Sequence, residues 1–110
     1  MSDIAIIGGI AVDIEGHPRE RLIYADSNPG RIMISYGGVS RNITENLARM
    51  GASVSFCSVA GNDFVGRAAA EQLQLLGVDI SGVELLDGES TAIYLSILDN
   101  LVDMELALCN

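Results

Sequence analysis

A pair of glycines followed by an amphipathic helix pattern constrains this chain most. Gly37 and Gly38 close an apolar-rich run, and residues without a Cβ allow the backbone to turn sharply or to lie against a ligand. Ser40 is expected to cap a helix of about three turns, and Gly51 is the expected residue after its last turn. The apolar residues that share one face at a period of 3.6 are Val39, Ile43, Leu47 and Met50.

Asn42 lies in the first turn of that predicted helix, which makes this turn a candidate binding site. Its carboxamide can both donate to and accept from a ligand hydroxyl, and helix N-termini favour electron-rich groups. The same features also fit a plain strand, turn and core-packing helix, because short motifs of this kind occur often by chance. The residues by themselves leave both interpretations open.

Short apolar runs alternate with helix patterns along much of the chain. Residues 4–7 and 53–60 predict buried strands, and residues 78–86 lead to a third strand region. Asn62 or Asp63 can cap a second helix, whose apolar stripe consists of Val65, Ala69, Leu73 and Leu76 and ends before Gly77. This β-α-β-α-β order predicts right-handed crossovers and a doubly wound parallel sheet of the α/β class.

Two further segments have the pattern of hairpins. Strand-like pieces at 21–24 and 31–35 flank the strong turn signal of Asn28-Pro29-Gly30. The alternating run 91–98 is followed by a second run at 104–109, although the intervening turn lacks the glycine usual there. The apolar face of the first run, Ile93, Leu95 and Ile97, is expected to remain exposed.

Composition excludes several function classes. With 110 residues and 49% hydrophobic content the chain can form one compact core, and no apolar run reaches the ~20 residues that span a bilayer. The net charge is −9 and all six basic residues are scattered arginines, which argues against nucleic-acid and anionic membrane partners. A soluble, cytoplasmic protein is expected. Cys57 and Cys109 are expected to be buried free thiols, and a single histidine, His17, gives little support to a metal site.

The spacing of the glycines, Asn42 and the Gly61-Asn62-Asp63 turn resembles the first signature of the PfkB, or ribokinase-like, family of carbohydrate and nucleoside kinases. Asp13, after the first strand, matches another position of that family. The resemblance implies that residues 1–110 are the N-terminal part of a kinase domain. Its α/β core would comprise 3–13 and 37–90, and a small β-sheet lid would be formed by strands within 14–36 and 91–109.

The resemblance also implies a function for the whole protein. Ser27-Asn28-Pro29-Gly30 is most similar to pseudouridine kinases within the family, which implies ATP- and Mg²⁺-dependent phosphorylation of the 5′-hydroxyl of pseudouridine, with room for a monovalent cation. The catalytic base and the ATP pocket would lie beyond residue 110, so no catalytic residue is expected here and the isolated chain is expected to be inactive. A homodimer through the lid is also implied. The implied substrate-binding residues are Asp13, Gly37, Gly38, Asn42, Ser27, Asn28, Tyr94 and Ser96.

The sequence leaves alternatives open. Another family substrate such as ribose, fructose 6-phosphate or a purine nucleoside would fit the same signature, as would a non-catalytic sugar or nucleoside binder. Ser27 and Asn28 are equally well explained by turn chemistry, and Tyr94 by an ordinary half-buried strand position. Asp13 has the alternative role of a turn residue.

Overall fold

The structure is a computed structural model that describes residues 2–110. Within this range the chain forms seven strands and two helices. They are β1 (Ile4–Ile7), β2 (Ala11–Pro18), β3 (Gly30–Gly37), α1 (Val39–Arg49), β4 (Val54–Gly61), α2 (Phe64–Leu75), β5 (Asp79–Leu86), β6 (Ala92–Leu98) and β7 (Met104–Cys109).

The chain divides into two compact units. The first contains residues up to Val12 together with Tyr36–Ala92, and the second contains Asp13–Ser35 and Ile93–Asn110. No helix in the described part of the chain is long and apolar enough to cross a bilayer.

The first unit is built on a parallel sheet in the order β1-β4-β5, as the alternating pattern predicts. Helix α1 packs on β4 and β1, and α2 packs on β5 and β4. Phe56 and Leu73 are fully buried between these layers. The expectation that β1 is buried is wrong for Ile7, which is 82% exposed. Side chains of a strand alternate between two faces, and only one face of β1 is covered within residues 2–110.

Helix α1 begins two residues earlier than a Ser40 cap would allow, so that prediction is wrong. Gly38 is the N-cap residue with φ 98°, and no side chain caps the helix. Ser40 instead lies against Gly8, where an added Cβ would come within 2.2 Å of the Ser40 Cβ. The predicted residue after the helix is confirmed, since Gly51 has φ 91°.

The apolar stripe of α1 is not its buried face. Val39 and Met50 are 78% and 80% exposed, whereas Arg41 and Thr44 are buried. The helix can turn these polar residues inward because both find partners there. Thr44 Oγ1 donates to the Ser40 carbonyl at 2.8 Å, and Arg41 joins a network described below.

Helix α2 follows its sequence pattern closely. Asp63 is the N-cap residue, and its carboxylate accepts from the Gly66 N–H at 2.7 Å. Ala69 and Leu73 are buried as predicted, and Gly77 with φ 87° follows the helix. The cap and the stripe are therefore both confirmed.

The second unit is built on a four-stranded sheet in the order β3-β2-β6-β7, in which β6 and β7 form the predicted antiparallel hairpin. The predicted strand at 21–24 is wrong, because those residues lie in the connection between β2 and β3. Asn28 explains the difference: its carboxamide accepts from the Ile23 N–H at 2.8 Å and donates to the Ile23 carbonyl at 3.0 Å. The backbone groups that a strand partner would use are thereby occupied.

Details of the β6–β7 hairpin and of the cysteines and apolar faces were not predicted correctly. Val102 takes φ 68° in the turn that lacks glycine, and Asp99 Oδ1 stabilises this turn by accepting from the N–H groups of Leu101 and Asp103. Both thiols are free, but neither is buried as predicted: Cys57 is half-buried, and Cys109 is exposed at the end of β7. The most exposed apolar side chains of the sheet lie on β3 and β7, not on the β6 face that the pattern favoured; they include Ile32, Ile34, Leu106 and Leu108.

Candidate functional site

The turn between β3 and α1 requires a glycine at its centre. Gly38 has φ 98°, and a Cβ added there would come within 2.6 Å of the Gly9 carbonyl oxygen. The Gly38 carbonyl accepts from the Asn42 N–H at 2.9 Å, which forms the first hydrogen bond of α1. Gly37 is buried at the end of β3. The sharp turn predicted from the glycine pair is confirmed, and it fixes where Asn42 stands.

Asn42 is exposed in the first turn of α1, and its carboxamide is held on one side only. Its Oδ1 accepts from Arg41 Nη1 at 2.9 Å. Arginine has no acceptor, so the group that faces it must be the amide oxygen and not the amide nitrogen. Within residues 2–110 the Nδ2 group makes no hydrogen bond. Asn42 therefore presents N–H donors to its surroundings.

Arg41 is the functional candidate that the sequence pattern did not reveal. It is only 3% exposed, and its Nη1 also donates to the Tyr36 carbonyl at 3.3 Å. Its Nη2 donates to Glu45 Oε1 at 2.6 Å and to Gln72 Oε1. The guanidinium carbon lies 5.7 Å from the centroid of the Tyr36 ring, within the range of a cation–π contact. One of its partners, Gln72, lies 31 residues along the chain, which no local pattern indicates.

Glu45 supplies the negative charge that balances Arg41. Its Oε1 accepts from Gln72 Nε2 at 2.9 Å, and Arg49 Nε lies 3.7 Å from its other oxygen. The hydrogen bond from Gln72, together with the hydrogen bond and charge of Arg41, lowers the pKa of Glu45 despite its partial burial. The carboxylate therefore stays ionised, and Arg41 stays paired.

A second polar cluster joins the turn before α2 to the residue before β6. The Asp63 carboxylate accepts from the Thr91 N–H at 2.9 Å and from the Thr91 hydroxyl at 2.7 Å, in addition to the Gly66 N–H. These donors, with the Thr91 N–H first, lower the pKa of Asp63. A Cβ at Gly66 would come within 2.2 Å of the Gly61 carbonyl oxygen. Gly61, Asp63 and Gly66 thus have structural roles at this junction.

The other predicted site residues lie in the second unit. Asp13 is the third residue of β2 and is half-buried, so the alternative of a turn residue is wrong. On β6, Tyr94 is 37% exposed, with its hydroxyl 3.7 Å from Met104 Sδ, and Ser96 is buried. Asn28 makes three hydrogen bonds inside its own connection, and Ser27 is exposed beside it.

The second unit also contains a groove of about 380 Å³. Its lining is mainly apolar, with Ile23, Ile32 and Leu106 among its walls, and Tyr24 donates to Glu105 at its edge. Asn28 is the one predicted site residue that contributes to it. Polar side chains also line the groove, among them His17, Asp26 and Arg31, so it combines apolar walls with hydrogen-bonding groups.

Metal-ligating side chains are not grouped together in the described part of the chain. Among residues 2–110 no three histidine, cysteine, aspartate or glutamate side chains are grouped so that they could hold a metal ion. The sequence contains neither a lysine nor a P-loop. In the first unit, Asn42 and the backbone groups at the glycine turn can form hydrogen bonds with a ligand; in the second unit, the Asp13 carboxylate can accept them.

Comparison with known proteins gives the family. Residues 1–109 match the pfkB family of carbohydrate kinases. The chain is 42% identical over 105 residues to pseudouridine kinase of Escherichia coli strain K12, covering 96% of this chain and 34% of that protein. It is 35% identical over 105 residues to guanosine-inosine kinase of Exiguobacterium acetylicum, covering 96% of this chain and 35% of the relative.

The fold agrees with this assignment. The crystal structure of ribokinase from Cryptococcus neoformans superposes with a TM-score of 0.80 at 17% identity, over all of this chain and 34% of the ribokinase chain. The α/β fold is therefore ribokinase-like. The chain spans about a third of the length of the curated relatives that it matches. The family match covers nearly every residue, so the chain belongs to the pfkB family of carbohydrate kinases.

Proposed function

We propose that the whole protein is a kinase that transfers the γ-phosphoryl group of ATP to the 5′-hydroxyl of pseudouridine. The observation that carries this choice of substrate is the 42% identity to a pseudouridine kinase across 96% of the chain. The cytoplasm, where ATP and nucleosides meet, is the proposed location.

In this proposal residues 1–110 form the part of the protein that binds the sugar. In this proposal the Asp13 carboxylate accepts hydrogen bonds from ribose hydroxyls, and Asn42 donates to another hydroxyl. Gly37 and Gly38 allow the backbone to approach the sugar closely. The remaining proposed contacts are Ser27, Asn28, Tyr94 and Ser96. Such contacts contribute to catalysis by holding the acceptor hydroxyl in place, which is a large part of the barrier reduction in phosphoryl transfer.

We assign the catalytic base, ATP, Mg²⁺ and any monovalent cation to parts of the protein outside these residues. The support is the length of the relatives, of which this chain matches about a third, and the absence of a suitable cluster among residues 2–110. We also propose a homodimer through the strands of the second unit. Exposed apolar patches usually mark interfaces, and Ile32 and Leu108 are 72% and 73% exposed there.

A panel of acceptors tests the proposed reaction in the full-length protein. Steady-state phosphorylation is measured with pseudouridine, uridine, ribose, fructose 6-phosphate, inosine and guanosine. Pseudouridine is expected to give the highest kcat/KM. A preference for inosine or guanosine would replace the proposed substrate by a purine nucleoside, which the 35% identity to guanosine-inosine kinase supports as the second candidate. Calorimetric binding of a panel member without turnover of any would indicate a non-catalytic binder.

A further inference from the structure

We propose that Arg41 is a positioning residue that holds the Asn42 carboxamide in one orientation, so that Asn42 offers only N–H donors to the substrate. The inference deepens the proposed function and rests on Asn42 being a substrate ligand. Arg41 thereby sets the polarity of the contact between Asn42 and the substrate.

The orientation follows from the donor inventory of arginine. Arg41 Nη1 lies 2.9 Å from Asn42 Oδ1, and a guanidinium can only donate. Turning the carboxamide by half a rotation would place its NH₂ group against the guanidinium, donor against donor. That orientation loses a charge-assisted hydrogen bond, so the amide oxygen stays beside Arg41.

Arg41 can impose this orientation because Arg41 itself is fixed. Its two terminal nitrogens reach the Tyr36 carbonyl, Asn42, Glu45 and Gln72, and its side chain is 4% exposed. An exposed asparagine ordinarily loses rotamer freedom when it binds a ligand, and that loss weakens binding. Because Arg41 already restricts the Asn42 side chain, binding the ligand costs Asn42 less rotamer freedom.

An Asn42 side chain that offers only N–H donors determines which kind of substrate atom it can bind. The substrate group opposite Nδ2 must accept a hydrogen bond, as a hydroxyl oxygen does, and its own O–H is then free to donate elsewhere. The substitution Asn42→Asp tests this directly, since it keeps the shape and the contact with Arg41 but removes both N–H donors. We expect Asn42→Asp to raise the KM for the nucleoside at least as much as Asn42→Ala does.

A double-mutant cycle in the full-length protein tests the role of Arg41. The acceptor is pseudouridine, or the preferred acceptor of the panel above if that differs. Arg41→Lys keeps the charge but cannot reach all four partners at once. It is expected to raise the nucleoside KM several-fold, up to about tenfold, with the KM for ATP little changed. In an Asn42→Ala background the same substitution is expected to have almost no further effect on that KM.

Arg49→Lys is the matched control, because Arg49 lies on the same helix and pairs with the same Glu45 but does not contact Asn42. It is expected to leave the nucleoside KM unchanged. Thermal melts of every variant separate loss of fold from loss of binding.

The outcomes are distinguishable. A normal nucleoside KM for Asn42→Ala would overturn the role of Asn42 in the proposed function. If Asn42→Ala weakens binding but Arg41→Lys has equal effects in both backgrounds, Asn42 is a ligand and the positioning role is wrong. If Arg41→Lys does not fold, Asn42→Asp decides: a nucleoside KM near that of the unmodified protein would show that donors are not required, and the inference fails.

Discussion

Asp63 and Thr91 are joined by two hydrogen bonds, of 2.9 Å to the Thr91 N–H and 2.7 Å to its hydroxyl, although 28 residues separate them. The same carboxylate caps α2, so one side chain fixes the start of a helix and the residue that leads into β6. We expect Asp63→Ala to lower the Tm of the full-length protein by several degrees, because it leaves the N–H groups of Gly66 and Thr91 without this acceptor. The exposed Glu71 on α2 provides the control substitution Glu71→Gln, which should change the Tm little.

Acid should weaken this junction. The pKa of Asp63 is lowered in the folded state, chiefly by the Thr91 N–H. Its contribution to stability is therefore complete above the unfolded pKa of about 4 and is lost as the pH falls through the lower folded value. Urea unfolding of the unmodified protein and of Asp63→Asn should differ most at neutral pH, and the difference should shrink below about pH 4. A constant difference between pH 7 and pH 3 would contradict this.

Gly38 should be the less replaceable of two glycines with similar backbone angles. Gly38 and Gly51 have φ 98° and 91°, but only at Gly38 would an added Cβ meet another atom, the Gly9 carbonyl oxygen at 2.6 Å. Gly38→Ala is expected to cost more than about 1 kcal/mol of unfolding free energy, and Gly51→Ala a smaller amount due to backbone strain alone. Chemical denaturation measures both, and equal costs would show that the close approach at Gly38 is unimportant.

Asp13 and Asn42 are expected to differ in their contributions to sugar binding. Asp13→Ala removes a charge-assisted hydrogen bond and should cost roughly 1.5–3 kcal/mol in kcat/KM for the sugar substrate, whereas Asn42→Ala should cost roughly 0.5–1.5 kcal/mol. The KM for ATP should change little in either variant. An Asp13→Ala enzyme with normal sugar kinetics would remove Asp13 from the proposed site.

The isolated 110-residue chain is expected to show no ATP turnover above a buffer control. The proposal places the base and the ATP site elsewhere in the protein, and such groups typically contribute factors of ~10² or more each. Phosphate release measured with the chain and pseudouridine checks this. Turnover would mean that catalytic groups lie within residues 1–110 after all.

Local sequence determines some of these elements and not others. Helix α2 was predictable because Asp63 caps it through a neighbouring N–H and its buried positions repeat at the helical period. The buried face of α1 was not, since one of the partners that Arg41 finds in its buried position is Gln72, on another helix. An apolar stripe is a poor guide to the buried face of a helix when a polar side chain of that helix has a hydrogen-bonding partner far away in the sequence.

The predicted strand at 21–24 shows a second case in which a local sequence pattern does not determine the structure. Its residues have the right composition, but Asn28 takes both backbone groups of Ile23, and side chains of this kind compete with a sheet for the backbone. For the candidate site, the sequence indicated Asn42 and the glycine turn. The orientation of the Asn42 carboxamide could not be predicted, because it depends on where the Arg41 guanidinium is held.

The contact between Gly8 and Ser40 ties together two positions that lie 32 residues apart in the sequence. A Cβ at position 8 would come within 2.2 Å of the Ser40 Cβ, so even alanine at position 40 would collide with it. A side chain at position 8 would therefore require glycine at position 40, and glycine in the first turn of α1 would weaken the helix that carries Asn42. Each position thus limits how the other can change during evolution. Helix α1 constrains Gly8 although β2 and β3 lie between them in the sequence.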